Sequence, residues 1–175
     1  MLDNMKEPIL NASNIKAGPF SYGAGHIQPN LAMDPGLVYD LAATDYLNFL
    51  CTLGYNETLI SMFSQNYKCP KPISLANFNY PSITIPNLVG SITVNRTVKN
   101  VGSPGTYRAQ VHRPIGISVY VKPKKLKFKK VGEEKTFSVT LEVKKAHAVK
   151  EYVSGQLIWS DHEHYLRSPI VVKAV

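Results

Sequence analysis

At 175 residues the chain suits one domain, or one domain with an appendage, and its 44% apolar content is ordinary for a protein with a packed core. No segment approaches the roughly 20 consecutive apolar residues of a membrane span, so no membrane partner is expected. The formal net charge of +8 can draw in a polyanion, although an excess of exposed lysines is its simpler source.

Residues 1–22 are polar and irregular, punctuated by Pro8 and Pro19. Residues 1–7 hold no apolar signal-peptide core, which taken alone argues against secretion. From 23 to 40 the sequence GAGHIQPNLAMDPGLVYD places Gly23, Gly25, Pro29, Pro35 and Gly36 where they break any long element. That stretch reads as turns carrying a few buried apolar residues. It offers no phosphate-binding loop, because Gly23-Ala24-Gly25 lacks the further glycine, the lysine and the helix start that such a loop requires.

A short helix is predicted over 44–52, with Thr44 as N-cap and Asp45 in the first turn, where a carboxylate favours the positive helix end. Leu47, Leu50 and Cys51 share a face, and Gly54 stops the helix. A second helix is predicted over 57–65, capped by Asn56 and carrying the apolar stripe Leu59, Ile60, Met62 and Phe63. Helices this short are marginal alone. The only two cysteines, Cys51 and Cys69, fit one disulfide but also admit two separate buried thiols. A disulfide would close a loop around the second helix and contribute about 3 kcal/mol.

From residue 79 the pattern changes to strands, predicted over 82–85, 91–99, 106–112, 117–121, 125–128, 135–143, 153–160 and 165–172. Pro86-Asn87, Gly102-Ser103-Pro104-Gly105, Pro114-Ile115-Gly116, Pro123 and Gly132-Glu133 supply the turns between them. Short strands at this spacing indicate an all-β sandwich. Arg96 shares strand parity with Ile92, Val94 and Val98, so it is expected near an edge. Trp159, the lone tryptophan, reads as a core aromatic.

Candidate chemistry is sparse. A serine protease needs a nucleophilic Ser, a base His and an orienting carboxylate within hydrogen-bond reach. His26 has Ser21 and Asp34 nearby in sequence, but no strained nucleophile turn accompanies them, so His26 is expected to be a packed, hydrogen-bonded histidine. Asp161-His162-Glu163-His164 is the densest metal-capable cluster. It sits between two predicted strands and reads as a polar hairpin turn, short of the three or four spaced ligands of a metal site. No metal, cofactor or catalytic residue is assigned. In VKPKKLKFKKV, residues 121–131, Leu126 and Phe128 alternate with Lys125, Lys127 and Lys129, giving a strand with apolar residues inward and lysines outward. Lysines on an exposed edge block edge-to-edge pairing. The alternative is contact of Lys125, Lys127 and Lys129 with a polyanion. Nucleic acid is not expected, because neither exposed aromatics nor a known reading module is found. Three Asn-x-Ser/Thr sequons, at Asn11, Asn56 and Asn95, lean with the cysteine pair towards a secreted glycoprotein.

One ordered series of motifs runs along the chain. Residues 19–40, PFSYGAGHIQPNLAMDPGLVYD, closely resemble the end of the peptidase domain of plant subtilisin-like serine proteases, the cucumisin-like family. Asp45-Tyr46-Leu47-Asn48-Phe49-Leu50-Cys51, Gly54-Tyr55 and Cys69-Pro70 match the next stretch of that family. Asn79-Tyr80-Pro81-Ser82-Ile83 resembles the opening of its C-terminal fibronectin type III-like domain. Arg96-Thr97-Val98-Lys99-Asn100-Val101-Gly102, Trp159-Ser160-Asp161 and Arg167-Ser168-Pro169-Ile170 follow the same pattern. Gly18 departs from the hydroxyl residue expected before Pro19, which bears on local packing only.

The resemblance implies a mainly β fold in three parts. Residues 1–42 would be the tail end of a subtilisin-type α/β domain, 43–76 a helical connector, and 77–175 a fibronectin type III-like β-sandwich. It also favours pairing of Cys51 with Cys69. The family nucleophile lies in Gly-Thr-Ser-Met, whereas here Gly105-Thr106 is followed by Tyr107, so no catalytic residue carries over and the triad would lie upstream of Met1. The implied parent is a secreted, apoplastic or cell-wall serine endopeptidase. This portion would stabilise or position the catalytic domain, its partner in cis. The alternative is a free-standing interaction module, or one that binds a cell-wall polyanion.

Overall fold

The computed structural model describes residues 3, 5, 7–70, 74–144 and 151–175, so much of the expectation about residues 1–7 lies outside the described residues. Two four-residue helices, α1 (Pro19–Tyr22) and α2 (Pro29–Ala32), replace the plain turns expected there. Each begins on a proline, whose fixed φ and missing N–H suit the first helical position. A two-residue strand β1 (Leu37–Val38) follows, then α3 (Ala43–Thr52), α4 (Glu57–Ile60) and a 3-10 turn at Leu75–Asn77.

Eight further strands arise where β-branched and aromatic residues alternate with polar ones: β2 (Ile83–Leu88), β3 (Ser91–Asn100), β4 (Gly105–His112), β5 (Ile117–Lys122), β6 (Lys125–Phe128), β7 (Glu134–Val143), β8 (Val153–Ser160) and β9 (Tyr165–Ala174). They form a four-stranded sheet, β1-β3-β7-β5, and a five-stranded sheet, β2-β9-β8-β4-β6. Every pairing is antiparallel except β2 with β9, where Ile83, Thr84 and Ile85 run parallel to Ile170, Val171 and Val172. Period-two alternation turns Val94, Val98, Phe137, Val139, Leu141, Val119 and Val121 inward from the first sheet. Ile83, Ile85, Tyr107, Leu126, Phe128, Leu157, Trp159, Ile170 and Val172 answer from the second. Trp159 is fully buried, edge-on to Phe137 at 5.1 Å between ring centroids.

The connector differs from its prediction in two places. The N-cap of α3 is Ala42 rather than Thr44, because Asp45 Oδ2 reaches back to accept the Ala42 N–H at 2.8 Å. The end of α3 follows the prediction. Gly54, at φ +97, lets the Tyr55 N–H reach the Leu50 carbonyl and its own N–H reach that of Cys51. Asn56 caps α4 through its Oδ1, which accepts the Leu59 N–H at 3.0 Å, but α4 stops at Ile60. Only Ile60 of the expected stripe is buried; Leu59, Met62 and Phe63 are exposed. Past Ile60 the chain coils through turns, with Asn66 at φ +62, back towards α3. There Cys69 is disulfide-bonded to Cys51, with Cα atoms 5.7 Å apart.

Among the described residues β3 has a strand neighbour on its outer side only at Lys99 and Asn100, which face Val38 and Leu37. Side chains complete the rest of that edge. Asn79 accepts the Thr97 N–H at 2.8 Å and donates to the Thr97 carbonyl at 2.9 Å, and Asn77 Oδ1 accepts the Asn95 N–H at 2.9 Å. Arg96 lies on this stretch, but it is buried rather than solvated, with 4% of its surface exposed. Its guanidinium donates to the carbonyls of Ala76 (2.7 Å), Asn95 (2.8 Å), Tyr80 (3.0 Å) and Ser82 (3.2 Å). One side chain thus joins β3 to the connector and to the approach to β2 in the opposite sheet.

Replacing Arg96 with Met keeps most of the volume and strands these acceptors, each at a cost of about 1–3 kcal/mol if left dry. Urea unfolding of R96M is expected to show a loss of about 3 kcal/mol or more; a loss below about 1 kcal/mol would mean that water replaces the guanidinium freely.

Candidate functional site

The segment before α3 lies along the sandwich and is fastened to it by several contacts, chief among them three. The first is apolar: Leu37, 1% exposed, enters the sandwich core, and β1 pairs with the end of β3. The second is the Tyr39 hydroxyl, 2.6 Å from the Oγ of fully buried Ser168 on β9. Burial raises the Tyr39 pKa against the opposing effects of Ser168 and Arg96, so this phenol stays neutral and able to donate.

The third is a polar knot beneath the β8–β9 hairpin. Residues 161–164 form that hairpin turn, as their position between two strands predicts. His162 adopts φ +85 and is exposed, whereas His164 is half-buried, so the two histidines do not share a face. Asp161 Oδ1 accepts the backbone N–H groups of Glu163 (3.1 Å) and His164 (2.7 Å), and its Oδ2 lies 2.9 Å from His164 Nδ1. The other ring nitrogen, Nε2, is 3.3 Å from Asp34 Oδ2 on the N-terminal segment. Among the described residues no group of three or more His, Cys, Asp or Glu side chains is arranged to hold a metal ion.

Gly36 makes this approach possible. It sits at φ +67, and a Cβ there would lie 2.7 Å from His164 Cγ and closer still to the Tyr107 hydroxyl. Its carbonyl accepts the N–H groups of Val101 (2.9 Å) and Gly102 (3.2 Å), extending the β1–β3 contact.

The electrostatics of the knot run in opposite senses. Burial works against ionised Asp161, but hydrogen bonds from His164, Tyr107 and Glu163 outweigh it and hold its pKa at about 2. Hydrogen bonding to Asp161 raises the His164 pKa, opposed by burial and reinforced by Asp34. Burial raises the Tyr107 pKa strongly, aided by the Asp161 hydrogen bond and the neighbouring acidic charges.

Beside the knot a cleft of about 570 Å³ opens between the N-terminal segment and β9, lined in part by His26, Gln28, Gln156 and Arg167. Arg167 donates to the Ala24 carbonyl across one end of it. His26 is exposed on this rim rather than packed as expected. Ser21 is exposed on α1, and Asp34 is committed to His164.

The other sequence candidates are scattered. Cys51 and Cys69 tie the connector. Asn11 lies in an N-terminal turn, where its Oδ1 accepts the N–H groups of Ser13 and Ile15; Asn56 caps α4; Asn95 is exposed on β3. Lys125 and Lys127 project outward from β6, an edge strand, with Lys129 exposed just beyond it. Sequence reading missed the Asp34–His164 link and the four-carbonyl role of Arg96. The one available signal was an arginine on the apolar parity of a strand.

A two-sheet β-sandwich in which successive strands from β2 to β8 alternate between the sheets is the architecture of a fibronectin type III-like module. Residues 77–172, more than half of the chain, match the Fibronectin type-III domain family, and the chain belongs to that family. Its similarity to curated proteins extends further. It is 60% identical over 176 residues to subtilisin-like protease SBT5.3 of Arabidopsis thaliana, covering 99% of this chain and 23% of that protein. It is 52% identical over 173 residues to subtilisin-like protease SBT5.4 of the same plant, covering 98% of this chain and 22% of that protein. The chain therefore spans less than a quarter of the length of these relatives, in which the matching region is a C-terminal part. Likeness to solved structures is weak: the periplasmic chaperone SfaE superimposes with a TM-score of 0.39 at 8% identity, covering 54% of this chain and 55% of that one.

Asp161 has a depressed pKa, so its contribution to stability is present above its ordinary 3.8 and is lost as pH falls through about 2. His164 has a raised pKa, so its contribution is full below its ordinary 6.5 and is lost as pH rises through the folded value. Thermal unfolding followed across pH is expected to show H164Q losing part of the decline above 6.5 and, with the His164 side-chain hydrogen bond to Asp161 gone, a smaller acid limb; an alkaline limb identical to that of the unaltered chain would contradict this. Gly36→Ala, strained in φ and overlapping Tyr107 and His164, is expected to cost at least about 2 kcal/mol in urea unfolding.

Proposed function

We propose that the chain supports a subtilisin-like serine endopeptidase in cis, stabilising or positioning a catalytic domain rather than performing catalysis. In this reading residues 1–42 close the peptidase domain, 43–76 form a disulfide-clamped connector, and 77–175 form the sandwich that braces both. The observation that carries it is the two-sided character of the N-terminal segment. One side is fastened to the sandwich by Leu37, Tyr39 and Asp34. Away from these fastenings Ile27, Leu31 and Met33 are between 63% and 86% exposed, whereas Phe20 is edge-on to Tyr152 at 5.0 Å between ring centroids. Apolar side chains concentrated in one short segment mark a surface made for contact, and in the relatives this region is continuous with a protease chain. The fold of the sandwich supplies rigidity to that surface. Secretion, with glycans on Asn11, Asn56 and Asn95, accords with the disulfide and with the exposure of all three asparagines.

The test is complementation. The Arabidopsis relative SBT5.3, expressed without its matching region, is mixed with the intact chain, and both the thermal midpoint and peptide hydrolysis are measured. The chain is expected to raise both, and the variant carrying Ser at positions 27, 31 and 33 is expected to do so at least tenfold less effectively at equal concentration. Equal rescue by the variant would remove the apolar face from the contact. Labelling of the isolated chain by a fluorophosphonate would show a nucleophile of its own and overturn the proposal.

A further inference from the structure

The outer face of the β4–β6 edge carries a cationic cluster that the support role leaves unused. The register sets Arg108 of β4 directly opposite Lys125 of β6, and Thr106 opposite Lys127. Arg108 and Lys127 are therefore diagonal neighbours on the same face, so three cations fall within one or two cross-strand spacings. All three side chains are exposed, and Lys122, Lys124, Lys129 and Lys130 around them are exposed too. Among the described residues no ion pair reaches Arg108, Lys125 or Lys127 within 4.0 Å. The nearby carboxylates are occupied elsewhere. Glu133 accepts the Lys129 N–H and pairs with Lys135, and Asp161 is held by His164 and Tyr107.

Like charges directly opposite each other oppose strand pairing. Lysines on β6 can be explained as edge protection, since β6 ends its sheet. That explanation does not extend to Arg108, because β4 is an interior strand with β6 on one side and β8 on the other. A carboxylate at 108 would have stabilised the pair; a third cation instead makes the face a receptor for external negative charge.

We infer that this face, centred on Arg108, Lys125 and Lys127, binds an acidic polysaccharide. Its chemistry favours a sugar polymer over a nucleic acid. Flanking Arg108 along β4 are Thr106, opposite Lys127, and exposed Gln110, whose hydroxyl and amide suit sugar hydroxyls, and β4 and β6 present no exposed aromatic ring on which a base could stack. Binding is spread over an extended strand, so it is expected to be electrostatic, salt-dependent and tolerant of the exact sugar sequence.

The experiment uses the full chain on immobilised polygalacturonate, eluted by increasing sodium chloride. Two triple variants remove the same charge: R108Q/K125Q/K127Q, and K16Q/K68Q/K144Q as a control distant in the fold. Circular dichroism and the thermal midpoint confirm that both fold. The unaltered chain and the control are expected to elute together, and the cluster variant at about half that salt concentration or less. Equal displacement of both variants would show that net charge alone drives retention, and the proposal would fail. Competition supplies the second arm. Soluble polygalacturonate should elute the chain at a lower charge concentration than a duplex DNA oligonucleotide; equal or better competition by DNA would overturn the polysaccharide assignment.

Discussion

The structure depends on how one strand disposes of a buried charge. β3 runs beyond the reach of its only outer neighbour, leaving backbone groups that would be costly if unpaired, and it turns a guanidinium inward at Arg96. Both problems have one solution. The connector folds back so that Asn77 and Asn79 complete the strand edge while the carbonyls of Ala76, Tyr80 and Ser82 surround the guanidinium. Lysine could not do this, since one ammonium cannot span carbonyls spread over such an arc, whereas the planar fork of arginine can. Burial lowers the Arg96 pKa, but an arginine remains charged at any relevant pH, so the attraction is permanent. The path of residues 76–82 is thereby fixed, and with it the start of β2 and the ring of Phe78, against which Tyr46 and Phe49 of α3 pack.

The fastening of the N-terminal segment shows a division of labour. Full burial of Leu37 is worth about 1.5–3 kcal/mol. The Asp34–His164 pair, with Asp34 mostly exposed, is screened by water and contributes far less. Apolar burial therefore holds the segment in place, while the knot around Asp161 adds a polar contact between Asp34 and the β8–β9 turn. The disulfide acts separately, on a connector whose two short helices would not persist by propensity alone.

Much of the sandwich was legible because its rules are local. Alternation of Val, Ile, Phe and Thr declares a strand wherever one face is buried, and all eight predicted strands lie within a few residues of the observed ones. Gly54 announced the end of α3 because few other residues adopt its backbone conformation readily. The features that escaped are those that rest on distant partners. Two residues, Leu37 and Val38, are too few to show a period, and they form a strand only because β3 offers them an edge. Thr44 had the right chemistry for a cap, but Asp45 reached the backbone first. The stripe from Leu59 to Phe63 had helical spacing, yet the chain gave up the helix after one turn, and three of its four apolar residues face solvent. Of the candidate site, the polarity of residues 161–164 was visible, but their link to Asp34 spans about 130 residues of sequence and leaves no local trace.

Leu37 also bears on what counts as a domain here. The family match begins at residue 77, yet a side chain forty residues earlier fills part of the same core. A sandwich transplanted between genes as the matched segment alone would arrive with a hole in its interior and an uncovered strand edge. What resembles a detachable bead on a string is thus closer to a joint, whose socket is completed by the stretch that precedes the family match.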